Sequence, residues 1–110
     1  MPGAFEEQVM LAVARCGDDA YGMTVRRELE ARTGRDVSIG AVYSTLARLE
    51  SKALVASRLV DSGTPERRGR ARRFFRLLPA GAEALREARQ VHRALWDGLD
   101  PRALADGDVG

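Results

Sequence analysis

The apolar positions of the chain first follow a helical period. Phe5, Val9, Ala12, Val13 and Cys16 fall on one face of a helix over residues 4–16, with Glu6 and Glu7 in its first turn and Gly17 as a natural stop. Asp18 or Asp19 can cap a second helix from about Tyr21 to Thr33, with Tyr21, Val25 and Leu29 inward and Gly34 at its end. A short "RDV", read as a brief extended piece, leads to Ser38, which caps a third helix lasting to about Lys52. The period then changes. "ALVASRLV" and "ARRFFRL" are β-prone, and "DSGTPERRGR" between them is a polar loop, so the pair reads as a β-hairpin with a long basic tip. Pro79 starts a fourth helix to about Trp96, Asp100 can cap one further short turn, and "DGDVG" reads as a frayed tail.

The order helix, helix, helix, hairpin, helix is the plan of a winged helix-turn-helix domain followed by one more helix. The predicted class is mostly α with a β-hairpin (α+β). The division that follows is a winged helix-turn-helix unit over 1–78, a dimerisation helix over 79–99, and a short turn with a frayed tail over 100–110.

The third helix carries an unusual pattern. At 100° per residue, Ile39, Val42, Leu46 and Leu49 form a buried stripe within about 80°. Ser44 lies opposite, flanked by Gly40, Ala41, Ala47, Arg48 and Ser51, with Tyr43 and Thr45 at the borders. The outward face is therefore small, hydroxylated and free of charge until Arg48. Small residues let a helix approach a surface closely, and the helix N-terminus favours anions. A helix leading with its N-terminal half into a DNA major groove wants this arrangement; so does a helix packed closely on another protein.

Charge placement bears on that choice. The net charge is only +2, but residues 56–76 hold seven Arg against Asp61 and Glu66, a local balance of +5. Residues 1–55 sum to −1 and residues 77–110 to −2. Arg67, Arg68, Arg70, Arg72 and Arg73 would form a cationic wing beside the third helix, flanking the face that lacks charge. Along the second strand, Arg72, Phe74 and Arg76 point one way and Arg73, Phe75 and Leu77 the other, and one Phe is expected to anchor the hairpin to the core.

The 110 residues make one small domain, whose core is marginal alone. In the fourth helix Leu85, Ala88, His92, Leu95 and Leu99 step by 3, 4, 3 and 4, a two-heptad seam that predicts a homodimer, unless the seam only covers the chain's own core. Cys16 is the single cysteine, which excludes an internal disulfide and a multi-Cys metal site; it reads as a small buried hydrophobe rather than a redox-sensing thiol. No catalytic constellation, phosphate loop, metal-ligand cluster or cofactor site is visible, so an enzyme is not expected. With no apolar run of membrane-spanning length and no leader pattern, the expected location is the cytoplasm.

The pieces "AYGMTVRRELEARTG", "VSIGAVYSTLARLESKALV", "RRGRARRFFRL" and "LLPAGAEAL" resemble the PadR family of bacterial transcriptional regulators, in order and spacing, over about residues 8–90. The resemblance implies a dimeric winged-helix repressor on a pseudo-palindromic operator of double-stranded DNA. It assigns the groove to Ser38, Ala41, Tyr43, Ser44, Thr45 and Arg48, and backbone or minor-groove contact to Arg70, Arg72 and Arg73; the helical wheel adds Gly40 to the DNA-facing set and the charge run adds Arg67 and Arg68. It also implies a dimer interface built from the last helix and the first, where some small members hold a planar aromatic effector; the corresponding position falls nearer His92 than Trp96, and Trp96 reads as interface packing ahead of an effector platform. Two positions depart from the family pattern. Ala53 stands where Gly is common after the third helix, and Leu78 stands where Thr commonly caps the last. The alternative from another class is a winged-helix module that binds protein and does not read DNA sequence.

Overall fold

The computed structural model describes residues 2–61 and 71–105. The frayed tail expected at 106–110 and the wing-tip residues Arg67, Arg68 and Arg70 lie outside the described residues. The elements are α1 (Ala4–Cys16), α2 (Gly22–Thr33), α3 (Ile39–Ser51), β1 (Val55–Val60), β2 (Arg72–Leu77) and α4 (Pro79–Trp96), with short 3₁₀ turns at Gly17–Asp19 and Pro101–Leu104. The described part is α+β, as the hydrophobic periods predict. No strand forms at "RDV".

The caps differ from expectation at one helix. Ser38 caps α3 by accepting from the Ala41 N–H at 3.1 Å, and Asp100 caps the final turn by accepting from the Arg102 N–H at 2.9 Å. Neither Asp18 nor Asp19 caps α2; both lie in the 3₁₀ turn, and Tyr21 occupies the N-cap. Thr24 then turns its hydroxyl back to accept the Tyr21 N–H at 2.9 Å. At Leu78 no side chain caps α4. Its N–H is satisfied instead by the Leu54 carbonyl at 3.0 Å, which ties the start of α4 to the turn after α3.

The core is shared by α1, α2, α3 and the hairpin. Val9, Met10, Val13, Val25, Val42, Leu46, Leu49 and Val55 are each 2% exposed or less. Burying each of these side chains contributes about 1.5–3 kcal/mol before entropy is subtracted. Phe75 is the Phe that anchors the hairpin to this core. Met10 joins the α1 face, while Phe5 and Cys16 pack at its margin, half-buried. Burial pushes the Cys16 thiol above the usual thiol range.

The hairpin is antiparallel, Val55 opposite Leu77 and Val60 opposite Arg72. Its second strand also docks on the segment before α2, with the Phe75 N–H donating to the Ala20 carbonyl at 2.8 Å. The start of α4 presses on the turn after α3 at Gly81. A Cβ there would lie 2.2 Å from the Leu54 carbonyl oxygen, so only glycine permits this approach.

Beyond its first half, α4 leaves the body of the molecule. Residues 91–100 are all exposed, and the molecule extends 61 Å along its longest axis against 29 and 20 Å across. Its radius of gyration is 17.2 Å, where a compact chain of this length would have about 13 Å.

Candidate nucleic-acid interface

The outward face of α3 is displayed as the residue pattern predicts at most positions. Ser38, Gly40, Tyr43, Ser44, Ala47, Arg48 and Ser51 are exposed, and Ala41 is half-buried. Thr45 is a correction. It is 1% exposed, on the side of the buried stripe rather than at the border of the outward face, and its hydroxyl accepts from Arg48 Nη2 at 3.1 Å. Thr45 therefore holds Arg48 and does not itself face outward.

The chemistry of this face is set by small groups. The Ser44 hydroxyl donates to the Gly40 carbonyl at 3.0 Å, leaving oxygen lone pairs outward as acceptors. The Ser38 hydroxyl accepts a backbone N–H and keeps its own proton to donate. A Cβ added at Gly40 would meet nothing within 4 Å among the described residues. Glycine in a helix costs about 1 kcal/mol relative to alanine, and no contact with the described residues requires it.

Tyr43 is 49% exposed and folded across the start of α2. Its ring lies so close over Gly22 that a Cβ there would fall 2.4 Å from Cζ and 2.5 Å from Oη. Gly22, which the sequence reading did not single out, is the floor on which this ring rests. Only the packing of α2 against α3 reveals the pair.

The wing carries its arginines on both faces. Arg72 places its guanidinium 4.5 Å from the centre of the Tyr21 ring, and Tyr21 meets Phe74 edge-on at 5.4 Å. Arg58 lies 5.6 Å from the centre of the Phe74 ring. Each cation–π contact contributes about 0.5–1 kcal/mol at such exposed sites, and together they hold cations at fixed places. Arg58 was missed in the sequence; its pairing opposite Phe74 in the antiparallel register is the signal that finds it. On the other face, Arg73 donates to the Ser57 hydroxyl at 3.0 Å, and Ser57 donates in turn to Glu50 of α3 at 2.6 Å. Arg73 is thereby tied to the C-terminal half of α3, while Arg72 lies over the entry to α2.

One buried carboxylate joins α1 to α3. Glu6 is 8% exposed and accepts from the Gly3 N–H at 2.9 Å and from Lys52 Nζ at 2.9 and 3.2 Å. Arg48 Nε lies 3.9 Å from the same carboxylate. The Gly3 N–H, followed by the Lys52 ammonium, holds the Glu6 carboxyl below the usual carboxylate range. Sequence reading took Glu6 only as a first-turn acid. The spacing Glu6, Met10, Val13 puts it on the buried side and is the signal that was available.

The fourth-helix seam divides in two. Ala88 is buried at 5% exposure and Leu85 is half-buried against the core of its own chain, so these two are corrected: they face inward within the protomer. The physical reason is that α4 starts pinned to the Leu54 turn and crosses α1 before it emerges. His92, Leu95 at 70%, Trp96 at 62% and Leu99 are exposed, together with Val91 and Leu104. On α1, Leu11 is also exposed, in a mainly apolar groove of 290 Å³ lined by Ala12 and Leu29 and rimmed by Arg15 and Arg32. Among the described residues no cluster of metal-ligating side chains occurs, and no helix is long and apolar enough to cross a membrane.

Comparison with known proteins matches residues 10–87 to the model of the transcriptional regulator PadR-like family. The transcriptional regulator Rv3488 of Mycobacterium tuberculosis is 43% identical over 76 residues, which are 67% of this chain and 64% of that protein; the match thus spans less than two thirds of the relative's length. A PadR family regulator from Eggerthella lenta superposes with a TM-score of 0.65 at 27% identity, over 91% of this chain and 82% of that one. A PadR-like transcription factor from Bacteroides fragilis gives 0.68 at 23%, over 83% and 82%. A family match over most of the chain, on a winged fold with a charge-poor exposed helix face, places this protein among the PadR-family transcriptional regulators.

Proposed function

We propose that this regulator is a homodimeric, cytoplasmic repressor that reads a pseudo-palindromic operator with α3 in the major groove. Ser38, Gly40, Ala41, Tyr43, Ser44 and Arg48 meet the groove, and Arg72 and Arg73, with Arg67, Arg68 and Arg70 of the wing tip, grip backbone or minor groove. The observation that carries the reading is Gly40. Among the described residues nothing lies within 4 Å of where a side chain at Gly40 would go, so a close-approaching partner accounts for the glycine. The excess positive charge of residues 56–76 makes nucleic acid the partner that fits.

The functional division is a DNA-binding unit over 1–78, a dimerisation helix over 79–99 and a tail over 100–110. The emergent half of α4 supplies the dimer contact through His92, Leu95 and Leu99, with Leu11 of α1 as part of the receiving surface. The exposed Trp96 and neighbouring His92 are where a small planar aromatic effector would stack and release the DNA. Two half-sites one helical turn apart, about 34 Å, would match such a dimer.

A mobility-shift titration tests the reading, with a genomic duplex selected by the protein and a random duplex of the same length. Tyr43→Ala and Arg48→Ala are expected to erode the preference for the selected duplex. Arg72→Ala is expected to weaken both equally and to flatten the salt dependence. With about 6–10 phosphates engaged per dimer, affinity falls about 10³- to 10⁵-fold between roughly 50 and 200 mM salt. Equal loss on both duplexes for every variant refutes the assignment of α3 as the reader. Quenching of Trp96 fluorescence across a panel of planar aromatics tests the effector; a flat response refutes it.

A further inference from the structure

We infer that Glu6 is a positioning residue for DNA recognition: from α1, its carboxylate restrains and partly neutralises Arg48 and Lys52 of the reading helix. The inference rests on the assignment of α3 to the groove. Arg48 and Lys52 are the only basic residues from Ile39 to Lys52. Both turn toward a carboxylate that is nearly closed off from solvent, Lys52 Nζ at 2.9 Å and Arg48 Nε at 3.9 Å, while their own side chains stay about half exposed. The carboxylate is itself fixed by the Gly3 N–H, and Thr45 holds Arg48 from the other side. A long, flexible guanidinium thus has two partners, the Thr45 hydroxyl at 3.1 Å and the Glu6 carboxylate at 3.9 Å, beside the uncharged face it serves. Glu50, the acid within α3, is engaged elsewhere, by the Ser57 N–H and hydroxyl.

The consequence is a trade between grip and discrimination. A restrained Arg48 meets one base-edge geometry well, whereas a released Arg48 or Lys52 can reach any nearby phosphate. Glu6→Gln keeps an oxygen for the Gly3 N–H but drops the charge. It is expected to tighten binding to a random duplex and to narrow the preference for the selected one. It should also steepen the salt dependence by about one phosphate contact, an extra loss of about threefold between roughly 50 and 200 mM salt. Glu50→Gln removes the same charge without releasing Arg48. In double-mutant cycles with Arg48→Gln, the Glu6 pair is expected to be non-additive and the Glu50 pair additive.

Glu50→Gln also loosens Arg73 through Ser57, so the two variants are compared by their coupling to Arg48→Gln: equal coupling of both, or additivity of Glu6→Gln with Arg48→Gln, would overturn the inference while leaving the groove assignment intact. Loss of all effect of Arg48→Gln on wild-type binding would sink the groove assignment and this inference with it. Should Glu6→Gln not fold, Lys52→Gln serves, because its side chain is half exposed. It leaves the whole carboxylate charge to Arg48, so it must couple to Arg48→Gln; additivity there overturns the inference.

Discussion

Ala53 offers the sharpest test of how the backbone is built. It follows α3 with φ of 59°, the only non-glycine residue of positive φ among those described. The hydrogen bonds around it define a Schellman motif, Leu54 N–H to the Leu49 carbonyl at 3.0 Å and Ala53 N–H to the Glu50 carbonyl at 3.0 Å. In that motif this position is left-handed, and the Cβ of an L-residue there costs about 1–2 kcal/mol. Ala53 is exposed, so its methyl returns little through burial. Ala53→Gly removes the strain but adds about 0.4–1 kcal/mol of unfolded-state freedom. The net expectation is a gain of about 0.5–1 kcal/mol, which for a domain of this size raises Tm by about 2–8 °C. Thermal and urea unfolding at matched protein concentration would measure it, since the proposed dimer would make Tm concentration-dependent. DNA affinity should be unchanged, because Ala53 is not among the residues assigned to the DNA and the left-handed turn is kept by glycine. A lower Tm for Ala53→Gly would refute the strain argument.

Other expectations follow from single contacts. Gly81→Ala drives a Cβ into the Leu54 carbonyl, a backbone atom that cannot yield cheaply; a loss of about 1–3 kcal/mol in urea unfolding is expected, with α4 displaced. Gly22→Ala meets only the movable end of Tyr43, so stability should change by less than about 1 kcal/mol while preference among DNA duplexes falls in a mobility-shift assay. Leu95→Glu puts a charge on the exposed part of α4, at the proposed dimer contact; sedimentation should show a dimer for the wild type and a monomer for the variant with helix content retained. Because the folded carboxyl of Glu6 titrates below its unfolded value, its stabilisation is complete above about pH 4.3 and is lost as pH falls through the folded value. The urea midpoints of wild type and Glu6→Gln should therefore differ at pH 7 and converge in stronger acid.

How much was legible in the sequence depended on the range of the interaction. The bounds of α1, α3 and α4 could be read because hydrophobic period and end signals such as Ser38 and Pro79 act within a few residues. Antiparallel alternation along Arg72–Leu77 likewise foretold that one Phe would serve the core. The charge-poor face of α3 and the arginine excess behind it are properties of composition and angle, and needed no third dimension. What sequence could not fix was decided by elements distant in the chain. Thr45 sits at the angular border of a helical wheel, and only the bodies packed on both sides of α3 turned it inward. Gly22 became the floor for Tyr43, and Glu6 met Lys52 across 46 residues, because helix packing brings such pairs together at distances no local pattern encodes. The fourth helix makes the same point within one element: its 3-4 spacing runs unbroken, but the anchor at Leu54 set where that stripe stops covering its own core and begins to face outward.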